Sequence, residues 1–114
     1  MEFGFPGHTL TRGDRAIIRV DYRLITVTGA PTVQGGTRDG HGYAEIVLPS
    51  LAPADRDDIR QAPDITVTLT DGQTVVYQSV RPLTVWETHL NDDGTLTVIA
   101  SPTPQPTPSS LTKP

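Results

Sequence analysis

Apolar positions along the chain recur mostly at every second residue, the spacing of strands with one face buried. The first such run is Ala16 to Thr28, where Ile18, Val20, Tyr22 and Leu24 share one face and Arg19, Asp21 and Arg23 share the other. Beyond Leu24 the phase slips, because Ile25 and Val27 are apolar at odd positions. A bulge or bend near Leu24 is expected, as where a strand turns a corner between two sheets. Tyr43 to Leu48 alternates again, with Ala44, Ile46 and Leu48 inward and Tyr43 and Glu45 outward, until Pro49 ends it. Between these runs, Gly29-Ala30-Pro31 and Gln34 to Gly42 read as turn material, with Thr32-Val33 as a short pairing segment.

Two hairpins follow. In the first, Ile65 to Val80, the residues Ile65, Val67 and Leu69 alternate with Thr66, Thr68 and Thr70. Asp71-Gly72 then has the composition of a two-residue type I′ turn. Pairing Thr70 with Gln73 would set Val67 opposite Val76 and Thr66 opposite Tyr77, both sensible cross-strand pairs. The second hairpin joins Leu83 to Leu90 with Thr95 to Ala100 through Asn91-Asp92-Asp93-Gly94, in either of two registers. Trp86, the lone tryptophan, is expected to be its core anchor. Only Pro53 to Gln61 reads as helix. Its proline suits a first turn, and its early aspartates and late Arg60 suit the helix dipole.

These runs amount to roughly seven short strands broken by turn signals, the pattern of an antiparallel β-sandwich or small barrel. Composition agrees: 34 of the 114 residues are Thr, Val or Ile, and 11 prolines and 10 glycines leave no room for long helices. One small all-β domain is expected, spanning residues 14–100. An N-terminal arm, 1–13, precedes it, carrying Phe3 and Phe5, which a free tail would have little reason to hold. A Pro/Thr/Ser-rich tail, 101–114, follows, in which Pro102, Pro104, Pro106 and Pro108 favour an extended polyproline conformation.

Charge narrows the partners. Net charge is −4 and the isoelectric point about 5.1, so there is no basic footprint for nucleic acid. Without cysteine the chain has neither disulfides nor thiolate metal sites. The opening residues lack the positive start and apolar run of a secretory signal, and no apolar stretch is long enough for a membrane helix. Synthesis and folding in a cytoplasm are expected, with no membrane partner.

Reactive groups do not converge in the sequence. His8, His41 and His89 lack the short spacings of a zinc site. Asp55, Asp57 and Asp58 lack the glycine and distal glutamate of a calcium loop and fit a solvated helix start. Asp92-Asp93-Gly94 is turn chemistry rather than an acid/base pair. Ser50, Ser79, Ser101, Ser109 and Ser110 occupy no nucleophile elbow, and Gly35-Gly36-Thr37-Arg38-Asp39-Gly40 lacks the lysine of a phosphate loop. No catalytic, cofactor-binding or metal-binding residue is nominated. Tyr43, Tyr77 and Trp86 could face a carbohydrate, but ordinary packing is the simpler reading.

The run Ile25-Thr26-Val27-Thr28-Gly29-Ala30-Pro31, followed by Gly36-Thr37-Arg38-Asp39-Gly40-His41-Gly42-Tyr43-Ala44-Glu45-Ile46-Val47-Leu48-Pro49, resembles the opening of prealbumin-like sandwiches. It is also similar to the small Ig-like modules in virion proteins of tailed bacteriophages. That resemblance implies a non-enzymatic virion structural protein without cofactor. Such a protein would be a capsid decoration subunit, with a head-to-tail connector or tail-associated protein as the alternative and an adhesive, carbohydrate-binding module as the third. Implied partners are the major capsid or other virion proteins and further copies of the chain in a homo-oligomer, within the virion. The expected contact residues are Phe3, Phe5, Pro102, Pro104, Pro106 and Pro108.

Overall fold

How the chain reverses direction explains most of its architecture. The structure, a computed structural model, describes residues 10–21, 23–79 and 81–104. Among these, nine strands and one helix follow in order: β1 (Thr11–Arg12), β2 (Arg15–Val20), β3 (Arg23–Thr28), β4 (Thr32–Arg38), β5 (His41–Leu48), α1 (Pro53–Gln61), β6 (Asp64–Asp71), β7 (Thr74–Gln78), β8 (Leu83–Leu90) and β9 (Leu96–Ser101). Every strand pairing is antiparallel, and the chain is all-β with α1 its one helix among the described residues. Phe3, Phe5, Pro106 and Pro108 lie outside the described residues.

The phase slip near Leu24 is a hairpin, not a bulge within one strand. Val20 pairs with Arg23, Ile18 with Ile25 and Ala16 with Val27. Two residues separate the paired ends, so even positions of β2 face odd positions of β3 and the apolar set changes parity. Asp21 takes φ 52, a left-handed conformation that a short polar side chain tolerates. Leu24, expected inward, is 66% exposed opposite Arg19.

The glycine-rich stretch expected as a turn is mostly strand. β4 runs through Gly35-Gly36 to Arg38, paired with β5, and reverses only at Asp39 (φ 53) and Gly40 (φ 79). Gly36 faces Tyr43, and a Cβ added at Gly36 would stand 2.5 Å from Tyr43 Cζ. The missing side chain gives the neighbouring aromatic ring its place.

The hairpin between β6 and β7 forms in a different register from the one expected. Asp71 pairs with Thr74, so Gly72 (φ 64) and Gln73 make the turn, with glycine at its first position as in a type II′ reversal. A bulge between Leu69 and Thr70 then brings Leu69, not Thr66, opposite Tyr77. Asp14 holds this turn by accepting the Gly72 N–H at 3.0 Å, a partner that hairpin composition cannot reveal. The second hairpin pairs Leu90 with Leu96 and His89 with Thr97, and its register shifts between Val85 and Glu87.

One sheet results, in the order β1-β4-β5-β9-β8-β6-β2-β3 with β7 on β6. β6 gives one edge to β2 and shares the other between β8, at Asp64 and Ile65, and β7, from Thr68 to Asp71. Ser79 bridges the interval: its Oγ accepts the Val67 N–H at 2.9 Å, and its own N–H donates to Val67 O at 2.9 Å. The sheet folds over at this strand, and both leaves feed one core. Ile18, Val27, Val67 and Leu69 come from one leaf, and Val33, Ile46, Leu48, Leu96 and Val98 from the other.

α1 forms where the sequence places it, with Pro53 in the first turn and Ile59 its buried residue. The segment from Ser50 into α1 is also tied to the edge strand β3. Ser50 bridges to Thr28 of β3, and Arg23 at the other end of β3 forms ion pairs with Asp55 and Asp58 of α1. Contacts at both ends of an edge strand make it a poorer template for a foreign strand.

Tyr77 carries a defect in this packing. It is 3% exposed, its hydroxyl has no hydrogen-bond partner among the described residues, and burial pushes its phenol pKa up to about 12. Tyr77→Phe should therefore be as stable as the parent or up to about 1 kcal/mol more stable in urea denaturation at pH 7. Because the folded phenol titrates above its ordinary value of 10.0, the parent loses stability as pH rises from there towards about 12. The variant's alkaline decline should be correspondingly shallower, and an unchanged slope would refute the assignment.

Candidate functional site

Trp86 is buried, as expected of an anchor, yet it does not belong to the core. Val85 pairs with Ala100 and Glu87 with Ile99, so Trp86 is the extra residue of a bulge. It is 7% exposed but absent from the core shared by the two leaves. Its neighbours come from β4 and β5: the Tyr43 ring lies 5.8 Å away at 57°, and the Arg38 guanidinium stands 5.7 Å from the Trp86 ring centre and 5.6 Å from that of Tyr43. A planar cation against two rings is an attractive arrangement that tilted aromatic pairs leave open.

Charge holds the guanidinium there. Arg38 Nη1 donates to Glu87 Oε1 at 2.8 Å, while His89 Nε2 donates to Glu87 Oε2 at 2.6 Å. The His89 hydrogen bond, followed by that of Arg38, holds the Glu87 carboxyl below its ordinary value of 4.5. The bond to Glu87 in turn raises the Arg38 pKa further. His89 and Glu87 sit two residues apart on one face of β8, and the turn at Asp39-Gly40 brings Arg38 across to them.

The start of the Pro-rich segment closes over this cluster. Trp86 Nε1 donates to Thr103 O at 2.9 Å. Ser101 Oγ donates to Gly42 O at 2.5 Å and accepts the Thr103 N–H at 3.2 Å. The chain bends at Pro102 and Thr103, with Pro102 half-buried and Pro104 exposed. Beside it lies a shallow cleft of about 300 Å³ lined by Gly40, His41, Gly42, Ser101, Pro102 and Thr103.

Of the expected contact residues, Pro102 is half-buried and lines the cleft beside this site, and Pro104 is exposed. Of the three aromatics considered for a carbohydrate face, Tyr43 and Trp86 meet, whereas Tyr77 is buried in the core of the other leaf. Arg38, Glu87, His89 and Thr103 were not singled out from sequence as members of a common site. The signal for Arg38 was the continuation of β4 through two glycines; the others depend on the bulge at Trp86. Among the described residues, no group of three or more His, Asp or Glu is placed to hold a metal ion.

Comparison with protein-family models, curated proteins and solved structures returns no match.

A carboxyl whose pKa is depressed in the fold stabilises the folded state above its ordinary value, and that contribution is lost as pH falls below it. Glu87→Gln should thus abolish part of the parent's loss of stability on acidification below about pH 4.5, read from thermal melts between pH 6 and pH 3. Melts that fall in parallel for both proteins would contradict the bridging role of Glu87.

Proposed function

We infer that the chain is a non-enzymatic structural subunit of a virion, a capsid decoration protein that binds neighbouring subunits through its two extensions. A head-to-tail connector or tail-associated role is the alternative on the same reading. The observation that carries this is the rooting of both extensions on a rigid body. Thr11 and Arg12 pair with Val33 and Thr32 at one end of β4. Ser101 and Thr103 are tied to Gly42 and Trp86, near the opposite end, where β4 turns into β5. Thr11 lies opposite Val33 and Gly42 opposite Thr37, so at about 3.4 Å per residue the two roots are roughly 14 Å apart along β4.

Segments rooted at two distinct points of one body could reach two different neighbours. Many weak contacts made this way add up across a symmetric shell. The acidic body suits a protein partner better than nucleic acid.

Deleting residues 105–114 keeps both roots and removes most of the Pro-rich segment. Incorporation of the shortened chain into purified virion particles should fall by about tenfold or more relative to the full chain. Unaltered incorporation removes the tail from the mechanism. Absence of the full chain from purified particles, or a specific hit for it on a glycan array, overturns the virion reading.

A further inference from the structure

Trp86 lies outside the core shared by the leaves and is only 7% exposed, and its indole N–H is bonded to Thr103, the middle residue of Pro102-Thr103-Pro104. The mode of contact is specific. The indole N–H donates to the carbonyl of the residue between two prolines, at 2.9 Å, and the first of these, Pro102, is half-buried. Proline suits this use for two reasons. It has no N–H to compete for nearby carbonyls, and its fixed φ leaves little conformational entropy to lose on docking. Grooves that take proline-rich segments present aromatic rings of this kind. Tyr43 supplies the second ring, and Arg38, held by Glu87, fixes the position of both.

The same triplet occurs twice in the chain, as Pro102-Thr103-Pro104 and as Pro106-Thr107-Pro108, with Gln105 between. We propose that Arg38, Tyr43 and Trp86 form a recognition site for Pro-Thr-Pro segments, filled in the free chain by its own first triplet and open to the second triplet of another copy. Docking within one chain dominates in dilute solution, where the tethered segment has an effective concentration in the millimolar range. Crowding of copies favours exchange. The site rests on contacts within one chain and does not depend on the virion reading.

Trp86 is the lone tryptophan, so its fluorescence reports the site. The test uses the full chain carrying Pro102→Gly, Pro104→Gly, Pro106→Gly and Pro108→Gly, which weakens the tethered competitor. The synthetic peptide Ser-Pro-Thr-Pro-Gln-Pro-Thr-Pro should shift Trp86 emission saturably in this variant. It should bind the parent chain about tenfold or more weakly, because the parent's own triplet competes. The same peptide with alanine at every proline should bind the variant about tenfold or more weakly, since the preset φ is gone and more conformational entropy is lost on docking.

A second measurement isolates the indole. In the four-glycine background, Trp86→Phe keeps an aromatic ring but loses the N–H, and calorimetry should show affinity for the proline peptide falling by about tenfold. Equal binding of the two peptides, or no response to either from a variant whose circular dichroism matches the parent's, overturns the proposal. Undiminished affinity in Trp86→Phe also overturns it. None of these results bears on incorporation into particles, so failure of this site and failure of the virion reading are separable.

Discussion

Because β6 gives one edge to β2 and divides the other between β7 and β8, the sheet has to fold over there, and the remaining packing follows from that division. Along one edge, β7 and β8 lie end to end, with Ser79 supplying the bonds to Val67 in the interval. A hydroxyl that accepts a strand N–H keeps Val67 satisfied inside the core, where an unpaired amide would cost about 1–3 kcal/mol. Along its other edge, from Thr84 to Leu90, β8 pairs with β9, and β9 in turn carries β5 and β4 onto the opposite leaf. The inward residues of β2, β3 and β6 meet those of β4, β5 and β9 across one core.

The sequence was legible where a strand's apolar period survives unbroken, and misleading where the chain reverses without the expected residues. Ala44, Ile46 and Leu48 are buried as their alternation requires, and α1 begins at Pro53 and ends at Gln61 as its composition requires. The slip of phase at Leu24 was real, but a bulge and a two-residue hairpin both change parity. Asp21 offered no glycine to favour the hairpin. In β4 the error ran the other way, since Gly35 and Gly36 look like turn residues and are strand residues that make way for Tyr43. The composition Asp71-Gly72 located a turn correctly and its register incorrectly, because Asp14, distant in sequence, holds Gly72.

The outer-face site was the least legible part, for a physical reason. Its members come from β4, β5, β8 and the segment after β9, and none is adjacent in sequence to a partner from another element. Trp86 looked like a core residue because a large apolar ring normally is one. Leu83 and Val85 are the inward residues of this strand, so alternation leaves Trp86 on the other face, where the surrounding residues restore its burial by other means. Arg38 can lie against both rings because its planar guanidinium presents an apolar face while its edge bonds Glu87. A lysine ammonium, compact and strongly hydrated, would meet only part of that requirement.

This arrangement makes the Pro-rich segment a structural component as well as an appendage. An uncovered indole beside Tyr43 would leave an aromatic patch on the sheet, the kind of surface that draws non-specific partners. Covering it with a segment of the same chain suppresses that hazard at little entropic cost, because the segment begins only two residues before Thr103, at the end of β9. The cover is also shallow. It is held by the indole N–H, two contacts of Ser101 and a half-buried proline rather than by insertion into the core. Hydrogen bonds at a partly exposed site each contribute only about 0.5–1.5 kcal/mol net, so the cover can be firm in a single copy and still be displaced by a segment of the same chemistry.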